Sequence, residues 1–183
     1  MTSDSYKLSI GEPPATGIRA QDPPGRVPGF EPTAAERATQ LTVASLVAVT
    51  EHFVADRLRA VPGVTEDDLR SWPKQIAAWN THAGVRLEDF TSYPAFRGFN
   101  EARNAIMHGR GRLTPRQLKP NYAPQLWRWV TAAGLRVVRY EVIIGINDVD
   151  HCAEVCTSFI NAVDAAAHRT PASDRAAWLS SRQ

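Results

Sequence analysis

The sequence has no long hydrophobic run, few cysteines and no strong excess of either charge. No apolar stretch approaches the roughly 20 residues that a membrane-spanning helix needs, so we expect no membrane partner. Residues 1–20 are polar and lack the apolar stretch of a secretory signal, which predicts a cytoplasmic protein. Because the net charge is only +2, any affinity for nucleic acid must come from a local cluster of cations.

Cysteine is scarce, since Cys152 and Cys156 are the two that the chain contains. They stand one helical turn apart, and this spacing in a reducing compartment disfavours a disulfide. His151 precedes them, but a structural zinc site requires four ligands and the sequence has no second pair of cysteines. We therefore expect no metal and no cofactor, and we interpret both cysteines as buried side chains.

The chain is long enough for one globular domain with tails. It has 183 residues, of which 43% are hydrophobic, enough to bury a core. Residues 1–32 contain six prolines and four glycines, so they are predicted to form a flexible arm. Residues 33–169 are predicted to form the helical domain, and residues 170–183 a C-terminal tail.

Hydrophobic periodicity and capping residues predict the elements of this domain. They place helices at residues 33–59, 71–83, 94–108 and 123–133, a last helix that is capped by Asn147 or Asp148, and a short helix from Thr65. Residues 135–144 are rich in β-branched side chains and are predicted to fold back on themselves or to lie over the helices. The fold class is therefore an all-α helical bundle with one short β element.

One predicted helix carries the residues with the most chemistry. Arg103, Asn104 and His108, here called the motif, lie near the C-terminal end of the helix over residues 94–108. A fixed cation and a group that titrates near neutral pH are sufficient to cleave a phosphodiester without a metal. On an ideal helix Arg103 and His108 are about 140° apart, which is wide for one substrate atom. Either the helix loosens at Gly109, or a second copy of the chain completes the site.

The position of Arg103 also has a purely structural interpretation. Arg103 lies roughly 40° from Phe99, within the apolar stripe of its helix. An arginine there must be paired or must face a cleft. It could pair with an acid of the first helix, Glu51 or Asp56, and a histidine at a helix C-terminus could simply complement the helix dipole. Glu51 is therefore a candidate supporting residue.

The stretch from Arg103 to Lys119 favours a functional interpretation. It is basic and has no acidic residue, with its cations at Arg103, Arg110, Arg112, Arg116 and Lys119. In a chain of nearly balanced charge, such a run indicates a surface that faces phosphates.

Two tryptophans of the predicted helix over residues 123–133 are further candidates, because indole rings can stack on bases. Trp127 follows the period of the core and is interpreted as a packing residue. The role of Trp129 remains open at this point.

The stretch from Glu101 to Gly109, EARNAIMHG, resembles the signature of the HEPN superfamily. Its members are small all-α bundles that are marked by an arginine and a histidine a few residues apart, with a polar residue, usually asparagine, directly after the arginine. Arg103, Asn104 and His108 match this pattern, with four residues between the arginine and the histidine. The resemblance covers roughly residues 33–168 and extends to the order of the helices.

The resemblance implies a function. Many HEPN proteins are metal-independent endoribonucleases that act as homodimers, often as toxins or antiviral effectors. Carried over, His108 is the general base or acid for attack of the ribose 2′-OH on the adjacent phosphate, Arg103 stabilises that phosphate, and Asn104 orients either group. The implied partners are RNA, a second copy of the chain and an antitoxin or sensor protein. The implied RNA-binding residues are Arg110, Arg112, Arg116 and Lys119.

One position departs from the pattern of a HEPN subgroup. HEPN toxins that pair with a nucleotidyltransferase antitoxin carry a tyrosine two places after the histidine, and here that position is Arg110. Control by modification of that tyrosine is therefore not expected. The alternative function is a non-catalytic HEPN-like module that binds RNA, a nucleotide or a protein partner.

Overall fold

The computed structural model describes residues 32–169 of the chain. Over this range there are five α-helices, one short 3-10 helix and one two-stranded sheet. The elements are α1 (Ala34–Arg59), α2 (Trp72–Ala83), the 3-10 turn Leu87–Asp89, α3 (Tyr93–Gly109), α4 (Ala123–Ala132), β1 (Arg136–Val138), β2 (Glu141–Ile143) and α5 (Ile146–Arg169). The predicted all-α fold with one short β element is confirmed. Except for Pro32, the predicted arm and tail lie outside the described residues.

Helix α1 begins and ends where the sequence predicts. The backbone N–H of Glu36 donates to the Thr33 hydroxyl (3.2 Å), and the backbone N–H of Thr33 donates to the Glu36 carboxylate (2.8 Å). This reciprocal capping satisfies two of the donors that a helix start leaves unpaired. The buried hydrophobic side chains of α1 recur at the helical period, at Val43, Val47, Val54 and Leu58.

The short helix predicted from Thr65 is wrong. Thr65 and Asp68 do bond reciprocally, since the N–H of Thr65 donates to the Asp68 carboxylate (2.9 Å) and the N–H of Asp68 donates to the Thr65 hydroxyl (3.4 Å). These bonds close a turn and no helix follows. Ser71 is already extended, at φ −154° and ψ 152°, and begins α2. Too few residues lie between the two to offset the cost of nucleating a helix.

The start predicted for the last helix is also wrong, by a small margin. Helix α5 begins at Ile146, so Asn147 and Asp148 lie within its first turn. The Asp148 carboxylate accepts a hydrogen bond from the backbone N–H of Gly145 (2.6 Å). An acidic side chain one turn into the helix thus fixes its start, where it also complements the helix dipole.

Helix α3 packs against α1, α4 and α5 and supplies the aromatic core. The rings of Phe96 and Phe159 are stacked, with centroids 4.4 Å apart and planes 12° apart. Cys152 and Cys156 are free and buried, with their Sγ atoms 3.9 Å apart, which confirms their interpretation as core side chains. Among residues 32–169, no helix is both long and apolar enough to cross a bilayer.

Helices α3 and α4 approach each other closely at Gly98. A Cβ atom at this position would overlap the carbonyl oxygen of Trp129 and would lie 2.5 Å from the Cβ of Ala133. Only a residue without a side chain allows the two backbones to pack at this distance. Gly98 therefore sets the spacing of the helix pair that carries the candidate site.

The β-like run forms a hairpin, which confirms the prediction that it folds back on itself. β1 and β2 pair antiparallel, with Val137 opposite Val142. The segment after α3 adds to this hairpin, because the N–H of Leu113 donates to the carbonyl of Tyr140 (2.8 Å) and the N–H of Val142 donates to the carbonyl of Gly111 (2.9 Å). The hairpin thus anchors the chain directly downstream of the motif.

Candidate functional site

The motif lies on the C-terminal part of α3. Arg103 and Asn104 are half-buried, and Nη1 of Arg103 donates to Oδ1 of Asn104 at 3.3 Å. His108 is exposed. Because α3 stays helical through Gly109, the predicted loosening at Gly109 is not observed. The angle of about 140° between Arg103 and His108 on an ideal helix therefore applies.

Arg103 has no acidic partner within the described part of the chain. The two acids proposed for it are engaged elsewhere: the Glu51 carboxylate accepts from the Asn100 amide, and Asp56 pairs with other α1 side chains, at 3.2 Å from His52 and 2.5 Å from Arg59. Glu51 therefore supports Asn100 and makes no ion pair with Arg103. The structural interpretation of Arg103 is not what the molecule shows.

A group of polar side chains beside the motif was not anticipated from the sequence. We call it the buried polar cluster: Arg97, Asn100, Glu101, Gln117 and Tyr122. Arg97 donates to Oδ1 of Asn100 and to Oε1 of Glu101, both at 2.8 Å. Tyr122 donates to the same Glu101 oxygen at 2.6 Å, and Nε2 of Gln117 donates to Oε2 of Glu101 at 2.9 Å. Glu101 is 2% exposed, so this carboxylate is removed from water and fully hydrogen-bonded.

The buried polar cluster holds the segment after α3 against that helix. Gln117 Nε2 also donates to the backbone carbonyl of Glu101 (2.9 Å), and its Oε1 accepts from the backbone N–H of Thr114 (2.9 Å). Burial, and then the bond to Glu101, raise the pKa of Tyr122 to about 12. Tyr122 therefore remains a hydrogen-bond donor throughout the physiological pH range.

The sharp exit from α3 depends on two residues with positive φ. Arg110 adopts the left-handed conformation at φ 54°, and Gly111 follows at φ 89°. Both backbone N–H groups donate to the carbonyl of Ala105, which satisfies a terminal acceptor of the helix. The sequence predicts that the helix ends at Gly109 and Gly111. In the structure the left-handed residue that ends it is Arg110.

The predicted RNA-binding cations lie on the segment that follows this exit, residues 110–119, which we call the basic segment. Arg110, Arg116 and Lys119 are exposed and Arg112 is half-buried. None of these four makes an ion pair with an acid among residues 32–169. The Arg116 guanidinium lies 5.9 Å from the centroid of the Tyr122 ring. The segment therefore presents unneutralised positive charge next to the motif.

Trp127 differs from its prediction, and Trp129, whose role the sequence left open, lies against Arg97. Trp127 is 41% exposed, so its interpretation as a packing residue is wrong. The core positions of α4 are its neighbour Leu126 and Val130. Trp129 is half-buried, and the Arg97 guanidinium lies 4.5 Å from its ring centroid. A shift of one position on a short helix moves a side chain by about 100°, enough to exchange the two roles.

The buried polar cluster had a signal in the sequence that could have revealed it. Arg97 and Glu101 are four residues apart on a predicted helix, the spacing of an intrahelical ion pair. That spacing alone predicts an ion pair on the exposed side of the helix. Burial follows from Gln117 and Tyr122, which arrive from a distant part of the sequence and could not be placed by periodicity.

No metal site accompanies the motif in the described structure. Within residues 32–169, no three His, Cys, Asp or Glu side chains come together as metal ligands. In comparisons with known proteins, no protein-family model, no curated protein and no solved structure matches this chain.

Proposed function

We propose that this protein is a metal-independent endoribonuclease of the HEPN type that acts as a homodimer. The observation that carries the proposal is that Arg103 is half-buried, touches Asn104 and has no acidic partner within the described residues, while His108 is exposed on the same helix. An arginine that is held in place but not neutralised can bind a phosphate. An exposed histidine can exchange a proton with a substrate.

In the proposed reaction, His108 takes the proton of a ribose 2′-OH and the 2′ oxygen attacks the neighbouring phosphorus. The bond between phosphorus and the 5′ oxygen breaks, and the leaving oxygen takes a proton from water. Arg103 stabilises the negative charge that builds on the non-bridging oxygens. The products are a 2′,3′-cyclic phosphate and a 5′-hydroxyl. DNA has no 2′-OH and is not cut.

The basic segment supports RNA as the substrate. Its four cations have no acidic partner in the described part of the chain, so they are available to the phosphates on either side of the cleaved bond. Binding through such contacts releases counterions and weakens as salt rises. An RNA-cleaving toxin or antiviral effector, as the HEPN resemblance implies, would use this surface without reading a sequence.

The direct test is cleavage of RNA by the purified full chain in EDTA, next to DNA of the same sequence. We expect RNA to be cut to fragments with 2′,3′-cyclic phosphate ends and DNA to remain intact. His108→Ala should lower the rate by roughly 10²- to 10⁴-fold, the range for loss of a general acid or base, with an unchanged far-UV circular dichroism spectrum. If wild-type protein binds RNA without cutting it, the function is that of a binding module.

A matched control for this variant is His168→Ala. His168 lies on α5, near the C-terminal end of α1, whereas the basic segment lies near the N-terminal half of α1. Gln40 of α1 lies next to Gly111, the start of the basic segment. Arg57 of α1 pairs with Asp164 of α5 at 2.5 Å, and His168 contacts the same aspartate. Gln40 and Arg57 are about 26 Å apart along the helix. The control variant should cleave at the wild-type rate, and unchanged cleavage by His108→Ala as well would point to a contaminating nuclease.

The dimer has a separate test. If Arg103 of one copy acts with His108 of the other, a mixed dimer of Arg103→Ala and His108→Ala chains contains one intact site and one that lacks both groups. Unfolding and refolding the two inactive variants together should restore up to about a quarter of the wild-type activity, because about half of the dimers are mixed. If the refolded mixture stays inactive, the shared site is contradicted. The cleavage proposal itself is then decided by the EDTA assay alone.

A further inference from the structure

A cleft opens beside the N-terminal half of α3, at the end of the helix opposite His108. It lies between α2, the 3-10 turn, the N-terminal half of α3, α4 and the basic segment, and it has a volume of about 440 Å³. That size falls within the usual range for small-molecule sites, roughly 300–1,000 Å³. Four aromatic rings line it: Trp72, Tyr93, Tyr122 and Trp129. We call it the aromatic cleft.

Arg97 supplies a buried hydrogen-bond donor in the wall of this cleft. It is 8% exposed, and its two Nη groups are used within the buried polar cluster. Its Nε–H has no acceptor among residues 32–169. A buried N–H without an acceptor is costly, so a ligand atom that accepts this proton would be bound favourably.

Trp72, which also lines the cleft, carries a second buried donor. The indole N–H of Trp72 makes no hydrogen bond of standard geometry with a described residue, although it lies near the Tyr93 hydroxyl. Trp72 and Arg97 both line the cleft. Because both groups are donors and the Arg97 Nε–H has no acceptor among residues 32–169, the complementary ligand carries acceptor atoms, as ring nitrogens and carbonyl oxygens do.

The charges of the aromatic cleft divide between its interior and its rim. In the interior, Arg97 is neutralised by Glu101 at 2.8 Å, so a buried ligand part is best uncharged. At the rim, Arg116 is exposed, stands 5.9 Å from the Tyr122 ring and has no acidic partner within the described chain. Glu88 also lines the cleft and can accept from ribose hydroxyls. Planar guanidinium groups and aromatic rings are the surfaces on which bases stack.

We propose that the aromatic cleft binds a nucleotide, with the base against Tyr122 and Trp129 and the phosphate at Arg116. The nucleotide is either free or part of single-stranded RNA. The second source rests on the proposed function. On α3, Arg97 and His108 lie on the same face, about 20° apart around an ideal helix and about 16 Å along its axis. A single strand could therefore reach from the cleft to the motif by crossing the basic segment, which covers α3 at Glu101.

The test is calorimetric titration of the full chain with the four ribonucleoside monophosphates, using adenosine and ribose 5-phosphate as probes that lack one half of the ligand. We expect saturable binding of at least one monophosphate and weaker binding of both partial probes. Trp129→Leu should weaken binding by roughly 5- to 150-fold, the range for loss of one base–aromatic stack. Trp127→Leu, on the exposed side of the same helix, should leave binding unchanged.

A second variant keeps the test informative if Trp129→Leu destabilises α4. Arg116 is exposed, so Arg116→Glu should fold normally, and it should weaken the monophosphate while leaving adenosine unchanged. Failure of all four monophosphates to bind, or equal effects of the Trp127 and Trp129 variants, would overturn the proposal.

The source of the nucleotide is decided by competition. A short 2′-O-methyl RNA cannot undergo 2′-OH attack, so it probes binding without cleavage. If it displaces the monophosphate, the cleft is an RNA subsite, and if it does not, the cleft takes free nucleotide. His108→Ala should change neither result. Cleavage without nucleotide binding would reject the cleft alone, and binding without cleavage would reject the nuclease alone.

Discussion

The two halves of α3 each carry an arginine, and the two arginines are used in opposite ways. Arg97, in the first half, is 8% exposed, bonds to Asn100 and Glu101 and lies on the face of Trp129. Arg103, in the second half, is half-buried, and among residues 32–169 its side chain has one hydrogen bond, to its neighbour Asn104. The structural arginine is thus separated from the available one both by its burial and by its set of partners.

The difference has a simple electrostatic origin. A guanidinium in a core is tolerated only when an acid and further hydrogen bonds replace water, and Glu101 and Asn100 do this for Arg97. In the second half of α3 no acid among the described residues pairs with Arg103, and α3 ends at a turn after which Arg110, Arg116 and Lys119 are exposed. The same helix thus carries a neutral, fixed half and a charged, exposed half.

The largest expected difference in stability is the one between Arg97→Met and Arg103→Met. Arg97→Met leaves Glu101 buried without its cation and should lower the free energy of unfolding by about 3–5 kcal/mol. Arg103→Met removes one long hydrogen bond and should cost about 1 kcal/mol or less, while abolishing RNA cleavage. Urea unfolding followed by circular dichroism measures both. Equal losses would mean that the two halves of α3 do not differ in the way described.

A second comparison uses the two glycines of α3. Gly98→Ala should destabilise the protein by about 1–3 kcal/mol or more, because the added methyl group meets the backbone of α4 at Trp129 and one helix must shift. Gly109→Ala is the matched control, since its Cβ would lie 3.5 Å from a Thr114 methyl, an ordinary contact. Thermal unfolding of both variants should show a large loss for the first and little change for the second.

The smallest expected effect is that of Tyr122→Phe, which removes one donor to Glu101. The cost should be about 1 kcal/mol, the usual net value of a hydrogen bond. Because the pKa of Tyr122 is raised from 10 to about 12, its contribution is complete below pH 10 and is lost as the pH rises from 10 to 12. The difference in stability between wild type and variant should shrink over that interval. A difference that stays constant up to pH 12 would contradict the bond to Glu101.

Much of the fold could be predicted because α1, α3 and α5 carry strong local signals. The capping pair of Thr33 and Glu36 and the apolar stripe of α1 fix its limits within one residue. The prediction failed at Thr65, where a valid capping pattern is followed by too few residues before Ser71. Local signals are sufficient where an element is long, and insufficient where the next element begins at once.

The candidate site was predictable only in part. The sequence places the motif and the basic segment together, because they are contiguous. It does not reveal that Glu101 binds Gln117 and Tyr122, which lie 16 and 21 residues further along the chain. Nor does periodicity decide which of two tryptophans on the short helix α4 points inward. Contacts between distant segments are set by packing, which single-sequence patterns do not encode.

The attachment of the basic segment has an evolutionary consequence. Its backbone is fixed by the hairpin at Gly111 and Leu113, and its end by the hydrogen bonds of Gln117 and Tyr122. Arg110 holds the left-handed position that ends α3, but the side chains of Arg112, Arg116 and Lys119 make none of those hydrogen bonds, so exchanging these three leaves the attachments in place. The segment can therefore accept new side chains at these three positions, and the affinity of the surface beside the motif can drift or be redesigned without selecting a new fold.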